Sequence, residues 1–283
     1  MKSSKGGLLE YKGFEVVQFK DDSEMINFYE NPTVNFFNLK TNEYAIVKDS
    51  SGKVVDKMKW TGEKNSPVSY RKIKNDHSGK IAPRNIEQEL AFDMLQDPLS
   101  MVKLLTGRWG SGKTMLMVVH ALSKVLKGEI ERLVWIRNNY VTKDSNDIGY
   151  LPGDFTSKMI VWAAPLMDHI GGEEGLRQAM DEGQVEIQHL GFIRGRDIKN
   201  SIVLCSEAEN LTSGHMSLLL SRIGEGSQLW LDGDTAQTDH KKFEKDSGIE
   251  AIVEALVGDP LFGYVELQKT ERSAVAELAS RLL

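Results

Sequence analysis

The sequence has little cysteine and no long apolar run, and both absences narrow the class of protein. A single cysteine among 283 residues, Cys205, excludes a framework of disulfides within this chain and suits a reducing compartment. No apolar stretch reaches the roughly 18 residues that cross a bilayer. The first residues, MKSSKGGLLEYKG, also lack the apolar segment of a secretory signal. We therefore expect a soluble, cytoplasmic protein with no membrane partner.

Basic residues are fewer than acidic residues in this chain. The chain carries 35 lysines and arginines against 41 aspartates and glutamates, a formal net charge of -6. A protein dedicated to duplex DNA is usually basic, so that class is disfavoured, while a local basic groove stays open. The six histidines are scattered, and none lies at ligand spacing from Cys205 or from another histidine. The sequence therefore does not predict a structural metal site.

The residue pattern changes near residue 80. Residues 1–80 carry short alternating stretches, and Val47 and Val54 flank a polar turn with the letters DSSG, which is typical of a β-hairpin. The segment DHSGKIAP, residues 76–83, has the composition of a connector. We predict a small β-rich N-terminal region over residues 1–80 and a second domain over residues 81–283.

Beyond residue 80, apolar strands alternate with amphipathic segments of helix length. This alternation predicts an α/β domain in which a parallel sheet is flanked by helices. The predicted strands are MVKLLTG, RLVWIRN, QVEIQHL, SIVLCSE, SQLWLDGD and GYVELQ. The predicted helices cover residues 86–96, 112–126, 211–221, 247–256 and 273–282.

A glycine-rich loop follows the first of these strands. Its letters GRWGSGKT satisfy the phosphate-loop pattern G-x-x-x-x-G-K-[ST], and a helix is predicted to begin at its end. Backbone N–H groups at such a helix start converge on phosphate, while the lysine reaches the β and γ phosphates and the threonine hydroxyl binds Mg²⁺. The pattern predicts a P-loop NTPase with ATP and Mg²⁺ as cofactors, since no N-K-x-D guanine signature occurs. The predicted nucleotide-binding residues are Gly107, Arg108, Trp109, Gly110, Ser111, Gly112, Lys113 and Thr114.

Acidic residues follow two other predicted strands. P-loop hydrolases usually place an aspartate for Mg²⁺ and then a glutamate at a strand end, and here those positions hold Ser206 and Glu207. The second strand is followed by Asp232 and Asp234, with Gln237 three residues later, where an amide could sense the γ-phosphate. We expect Glu207 to be the catalytic base.

The chain resembles the PhoH family of P-loop ATPases, whose core is related to superfamily 1 helicases. The resemblance runs from about residue 85 to the end, with a weaker likeness around NEYAIV. Its motifs are PRNIEQELAFDML, GRWGSGKT, IRN, GYLPGDFTSKM, FIRGRDIKNS, SEAENLTSGHM, SRIGEGSQLWLDGDTAQTD and ERSAVAEL. The resemblance implies an ATPase that acts on or near RNA and assembles as a homo-oligomeric ring, a hexamer. The nuclease activity of some larger relatives is not carried over, because residues 1–80 lack an acidic metal cluster.

The resemblance also implies roles for single residues. The family's usual DEAQN stands here as SEAEN, so Ser206 takes the position next to Mg²⁺ and leaves the rate of hydrolysis in question. Restoring an aspartate there should raise hydrolysis, unless Asp232 or Asp234 already serves the metal. Gln88 resembles the glutamine that recognises adenine in helicase-like ATPases. Alternatively, Asn85 and Gln88 form a capping pair at a helix start.

Arginines are natural partners for phosphate charge, and the resemblance offers four. They are Arg194, Arg196, Arg222 and Arg272. We expect Arg272 to play the finger-like role and Arg222 to assist catalysis, either in the subunit's own site or in a neighbour's.

Two functional hypotheses remain. In the first, the chain is an ATPase with a helicase-like core that acts on single-stranded RNA. In the second, it is a nucleotide-binding interaction protein that holds ATP with little turnover because of Ser206. A small-molecule kinase fits less well, because Gln237 and the SRIGEG motif match the ATPase pattern better.

Overall fold

The computed structural model describes residues 11–77, 79–137, 160, 163–235, 243 and 245–270. The N-terminal region is β-rich, as the sequence predicts, and forms a four-stranded sheet in the order β1-β2-β3-β4. These strands are β1 Phe14–Gln18, β2 Tyr44–Lys48, β3 Val54–Trp60 and β4 Asn65–Pro67. One helix, α1 at Asp22–Glu30, joins β1 to the rest.

The predicted hairpin is present between β2 and β3. The two strands pair antiparallel, and the backbone N–H of Asp49 donates to the carbonyl of Lys53 at 3.0 Å across the turn. Farther on, β5 at Ile73–Asn75 and β6 at Gly79–Ile81 form a second, shorter hairpin within the stretch that reads as a connector. The position of the domain boundary stays a prediction.

The N-terminal sheet is attached to the rest of the molecule by buried polar contacts. The hydroxyl of Tyr44 donates to the carboxylate of Asp93 at 2.8 Å, and Lys59 forms ion pairs of 2.9 Å with Asp93 and Asp97. The amide of Asn42 donates to the carbonyl of Phe262 at 2.9 Å. These contacts join the two regions directly.

The second region is a six-stranded, all-parallel sheet in the order β12-β7-β11-β10-β8-β9. Its strands are β7 Val102–Gly107, β8 Arg132–Arg137, β9 Val185–His189, β10 Ser201–Ser206, β11 Gln228–Gly233 and β12 Phe262–Leu267. All six predicted strands are confirmed. The fold is α/β and matches the P-loop NTPase class.

Helices cover both faces of the sheet. They are α2 Ile86–Gln96, α3 Lys113–Leu126, α4 Ala164–Met167, α5 Gly172–Asp181, α6 Ser213–Leu220 and α7 Gly248–Leu256. One core lies between α2, α3, α5 and the sheet, and a second lies between α6, α7 and the opposite face. This two-sided burial explains why the strands have nearly continuous apolar sequences. The predicted helix over residues 273–282 lies outside the described residues.

All six strands run in the same direction, so their carboxyl ends meet at one edge of the sheet. Open α/β folds bind ligands at that edge. The phosphate-loop glycines follow β7 there, and Arg137 at the end of β8 and the polar residues at the ends of β10 and β11 lie at the same edge. None of the described helices is both long and apolar enough to cross a bilayer.

Candidate nucleotide-binding site

The GRWGSGKT segment joins β7 to α3 as the sequence predicts. Gly112 precedes the first helical residue with a φ of 91°, a left-handed conformation that glycine adopts without steric cost. No side chain caps the start of α3, so its first N–H groups remain open to an anion. The ammonium of Lys113 lies 3.4 Å from the carbonyl of Arg108 and so stays over the loop. The loop has the geometry of a phosphate cradle.

The side chain of Gln88 contacts this loop. Its side-chain amide donates to the carbonyl of Ser111 at 3.1 Å, and its amide oxygen accepts the N–H of Arg84 at 2.9 Å. Asn85 is the N-cap of α2 and accepts the N–H of Gln88 at 2.9 Å, so the capping contact is present. A carboxamide has two donors and two acceptor sites, which leaves one of each for a base. Recognition of adenine by Gln88 stays a prediction.

Asp232 lies at the centre of the site. It is 2% exposed, and its carboxylate accepts the N–H of Glu207 at 2.9 Å and lies near the hydroxyl of Thr114. Burial raises the pKa of Asp232, while these hydrogen bonds and the nearby charges of Lys113 and Arg137 oppose the rise. Its second oxygen, Oδ2, is buried and has no hydrogen-bond partner among the described residues.

A buried carboxylate oxygen without a hydrogen-bond partner is the kind of ligand that a Mg²⁺ site needs. Mg²⁺ prefers oxygen ligands and is usually held by one or two carboxylates together with substrate phosphates. The carboxylate of Asp232 beside the hydroxyl of Thr114 fits this requirement. The described residues contain no group of three or more acidic, histidine or cysteine side chains that could hold a metal alone. A nucleotide phosphate would therefore have to complete the site.

Ser206 lies one strand farther from the phosphate loop than Asp232. It ends β10 and is 3% exposed, and β11 separates β10 from β7. Asp232, on the strand next to β7, is the carboxylate whose pKa the hydroxyl of Thr114 lowers. This geometry favours the alternative in which Asp232, near the end of β11, serves the metal.

Glu207, the expected base, has an unusual backbone. Its φ is 57°, which is uncommon for any residue other than glycine, and its carbonyl accepts the N–H of Asn210 at 3.0 Å. The Arg137 guanidinium pairs with both of its carboxylate oxygens, with Nε 3.1 Å from Oε2. The turn therefore directs Glu207 toward the end of β8.

Asp234 and Glu209 connect the strand ends to the phosphate loop. The carboxylate of Asp234 accepts the N–H of Trp109 at 3.0 Å, and Glu209 accepts the N–H of Asp234 at 3.0 Å. Burial, with smaller contributions from the charges of Asp232 and Glu207, raises the pKa of Glu209 to about 8, although its hydrogen bonds to backbone N–H groups oppose the rise. Glu209 is therefore largely protonated at neutral pH.

Two of the predicted arginines lie away from the phosphate loop. Arg222 follows α6 and precedes β11, so it lies at the amino edge of the sheet, opposite the phosphate loop, and hydrogen-bonds to Ser221 and to the carbonyl of Arg196. Arg196 pairs with Glu186 at 2.6 Å. The structure does not bring these two arginines to the subunit's own loop. Gln237 and Arg272 lie outside the described residues.

Sequence reasoning did not single out Arg137. The residue ends a strand within the motif IRN, and its partner Glu207 is 70 positions away. A polar residue at the carboxyl end of a buried parallel strand was the available signal, since such positions line ligand sites. Only the order of the strands shows that Arg137 and Glu207 are neighbours.

The fold and the loop define an α/β P-loop NTPase. The family described as PhoH-like protein matches residues 80–282, and the chain belongs to this family. Protein PhoH2 of Thermobispora bispora is 34% identical over 203 residues, 71% of this chain and 47% of that protein. Protein PhoH2 of Bacillus subtilis is 33% identical over 256 residues, 86% of this chain and 56% of that protein.

A more distant relative is Protein PhoH of Escherichia coli, 30% identical over 181 residues, 61% of this chain and 50% of that protein. The chain thus spans about half the length of the curated relatives it matches. Among solved structures, Pif1 helicase from Candida albicans aligns with a TM-score of 0.38 and 14% identity over 71% of this chain and 43% of that one.

Proposed function

We propose that this chain binds ATP with Mg²⁺ and hydrolyses it. One observation carries the proposal: Asp232, buried beside the phosphate loop, accepts the N–H of Glu207 at 2.9 Å and keeps its second oxygen without a hydrogen-bond partner among the described residues. In this arrangement Lys113 binds the β and γ phosphates, Thr114 and Asp232 hold the metal, and Glu207 accepts a proton from the attacking water. Bound Mg²⁺ would neutralise charge that develops on the phosphates.

The family resemblance extends the proposal to partners. We propose that single-stranded RNA is the nucleic acid involved and that identical subunits assemble as a ring. In a ring, Arg222 at the far edge of the sheet is available to a neighbouring subunit. A cytoplasmic location fits the single cysteine, which is buried in β10 and unavailable for a disulfide.

A second candidate is a nucleotide-binding protein with little turnover. The pairing of Glu207 with Arg137 favours it, because both oxygens of the expected base are occupied.

Phosphate release from ATP with Mg²⁺, measured with and without single-stranded RNA, tests both candidates. Turnover that RNA stimulates supports the first, and tight ATP binding without phosphate release supports the second. A chain that binds no ATP contradicts both.

A further inference from the structure

Arg137 and Glu207 face each other across two neighbouring parallel strands. Arg137 is the last residue of β8, and its Cα partner on β10 is Ser206, the residue directly before Glu207. The guanidinium uses Nε and Nη2 to bind the two oxygens of one carboxylate. Arginine binds phosphate through the same planar arrangement of donors, so the two kinds of partner can replace each other.

This pairing conflicts with the chemistry expected of Glu207. A general base needs a carboxylate oxygen within hydrogen-bond reach of the water it deprotonates. When both oxygens accept hydrogen bonds from a cation, the carboxylate is a poorer proton acceptor. The positive φ of Glu207 is a strained backbone of the kind found in switch regions, and the hydrogen bond to Asp232 holds it in place.

Arg137 also lies within electrostatic reach of the metal-binding carboxylate. Its charge and that of Lys113 both act to lower the pKa of Asp232. Asp232 also lies near the hydroxyl of Thr114, in the first turn of the phosphate-binding helix. Glu207, which Arg137 binds, donates its N–H to Asp232, so the ion pair lies at the carboxyl edge of the sheet next to the proposed metal site.

We propose that Arg137 is a γ-phosphate sensor that exchanges partners, binding Glu207 in the nucleotide-free chain and the γ-phosphate when ATP is bound. The inference rests on the proposed ATP site and adds its regulation. The exchange frees the Glu207 carboxylate to take a proton from water as the water oxygen bonds to the γ phosphorus. The bond from that phosphorus to the β–γ bridging oxygen breaks, which gives ADP and phosphate. ADP lacks the γ-phosphate, so it leaves the ion pair intact.

Binding constants for two probes test the exchange without relying on turnover. Isothermal titration with Mg²⁺ and either the non-hydrolysable ATP analogue AMP-PNP or ADP would compare the parent with Arg137→Ala, Arg137→Lys and Glu207→Gln. We expect Arg137→Ala to weaken the binding of AMP-PNP by about 10-fold or more, the usual effect of losing a charged hydrogen bond. The affinity for ADP should not change. Arg137→Lys keeps the charge but not the planar donors, so its loss should be smaller.

Glu207→Gln distinguishes the exchange of partners by Arg137 from direct repulsion between the Glu207 carboxylate and the γ-phosphate. When Arg137 is present, removing the competing carboxylate should strengthen the binding of AMP-PNP several-fold. This gain in affinity should disappear when Arg137→Ala is combined with Glu207→Gln. An undiminished gain in that background would identify direct repulsion and overturn the proposal. The proposal is equally overturned if Arg137→Ala weakens AMP-PNP and ADP to the same extent, or weakens neither.

Two controls keep the outcomes separate. Arg177→Ala breaks an exposed ion pair with Glu173 on α5, far from the loop, and should change neither constant. Thermal melting of each variant shows whether it is folded. If the parent itself binds neither probe, the proposed function fails, and that result is distinct from a failure of the exchange.

Discussion

The carboxylate of Asp234 accepts the backbone N–H of Trp109 at 3.0 Å, so the end of β11 holds the phosphate loop directly. The N–H of Asp234 in turn donates to Glu209, which follows β10. Three segments that are distant in the sequence therefore form one unit at the carboxyl edge of the sheet. Changes in any of them should affect the binding of nucleotide.

The first prediction concerns the loop lysine. Lys113→Ala should abolish ATP binding or weaken it by at least about 10- to 100-fold, because it removes a charged phosphate contact. The fold should survive, since Lys113 is only partly buried at the start of α3. Equilibrium binding of ATP and thermal melting measure the two effects.

Lys127→Ala is a matched control for that change. Lys127 is exposed at the other end of the same helix, away from the loop. It should bind ATP like the parent. Parent-like affinity in Lys113→Ala would show that GRWGSGKT is not the phosphate site.

Glu209 gives a prediction about pH and stability. Its pKa in the folded chain, about 8, lies above the ordinary value of 4.5, so the folded state binds more protons between these values. The stability it contributes is complete below pH 4.5 and is lost as the pH rises to about 8. Glu209→Gln keeps an oxygen for the N–H of Asp234 but cannot ionise. We expect equal melting temperatures near pH 4.5 and, near pH 9, a variant that is more stable by several degrees, equivalent to about 1–3 kcal/mol.

The exposed Glu254 on α7 provides the control for this titration. Glu254→Gln should follow the parent at every pH. If Glu209→Gln and the parent melt together across the whole range, the Glu209 carboxyl is not held in its neutral form.

The third prediction concerns the assembly of the chain into a ring and its binding to single-stranded RNA. The chain should sediment as a ring, and its binding to single-stranded RNA should weaken steeply with salt, because phosphate contacts release counterions. Sedimentation velocity and filter retention of RNA between low and physiological salt measure both. A monomer that retains no RNA even at low salt would remove both claims.

The elements of the main sheet were predictable because their signals are local. A strand buried on both faces has a continuous apolar sequence, and the phosphate loop has a fixed spacing between β7 and α3. The helices α1, α4 and α5 were not predicted. Each is ten residues or shorter, and α1 carries a single buried side chain, Phe28. Local patterns therefore predict the scaffold well and short, exposed elements poorly.

The candidate site was predictable only in part, because it depends on strand order. The sequence places Ser206 and Asp232 after two apolar strands but does not say which strand is next to β7. In the structure β11 is the neighbour, so Asp232 and not Ser206 lies on the strand next to the phosphate loop. The pairing of Arg137 with Glu207 depends in the same way on the contact between β8 and β10.

This strand order leads to the last prediction, on the metal. Since Asp232 has a buried oxygen free of hydrogen bonds among the described residues, Asp232→Asn should lower Mg²⁺-dependent ATP hydrolysis by about 10- to 100-fold. Ser206→Asp should leave the rate unchanged or lower it, because it adds a second carboxylate next to the one proposed to hold the metal, at a position that is 3% exposed. Ser206→Ala is the matched control and should behave like the parent. ATP turnover across a Mg²⁺ titration compares the four chains. A rise of about 10-fold or more in Ser206→Asp at low Mg²⁺ would instead identify position 206 as the place where the metal lacks its acid.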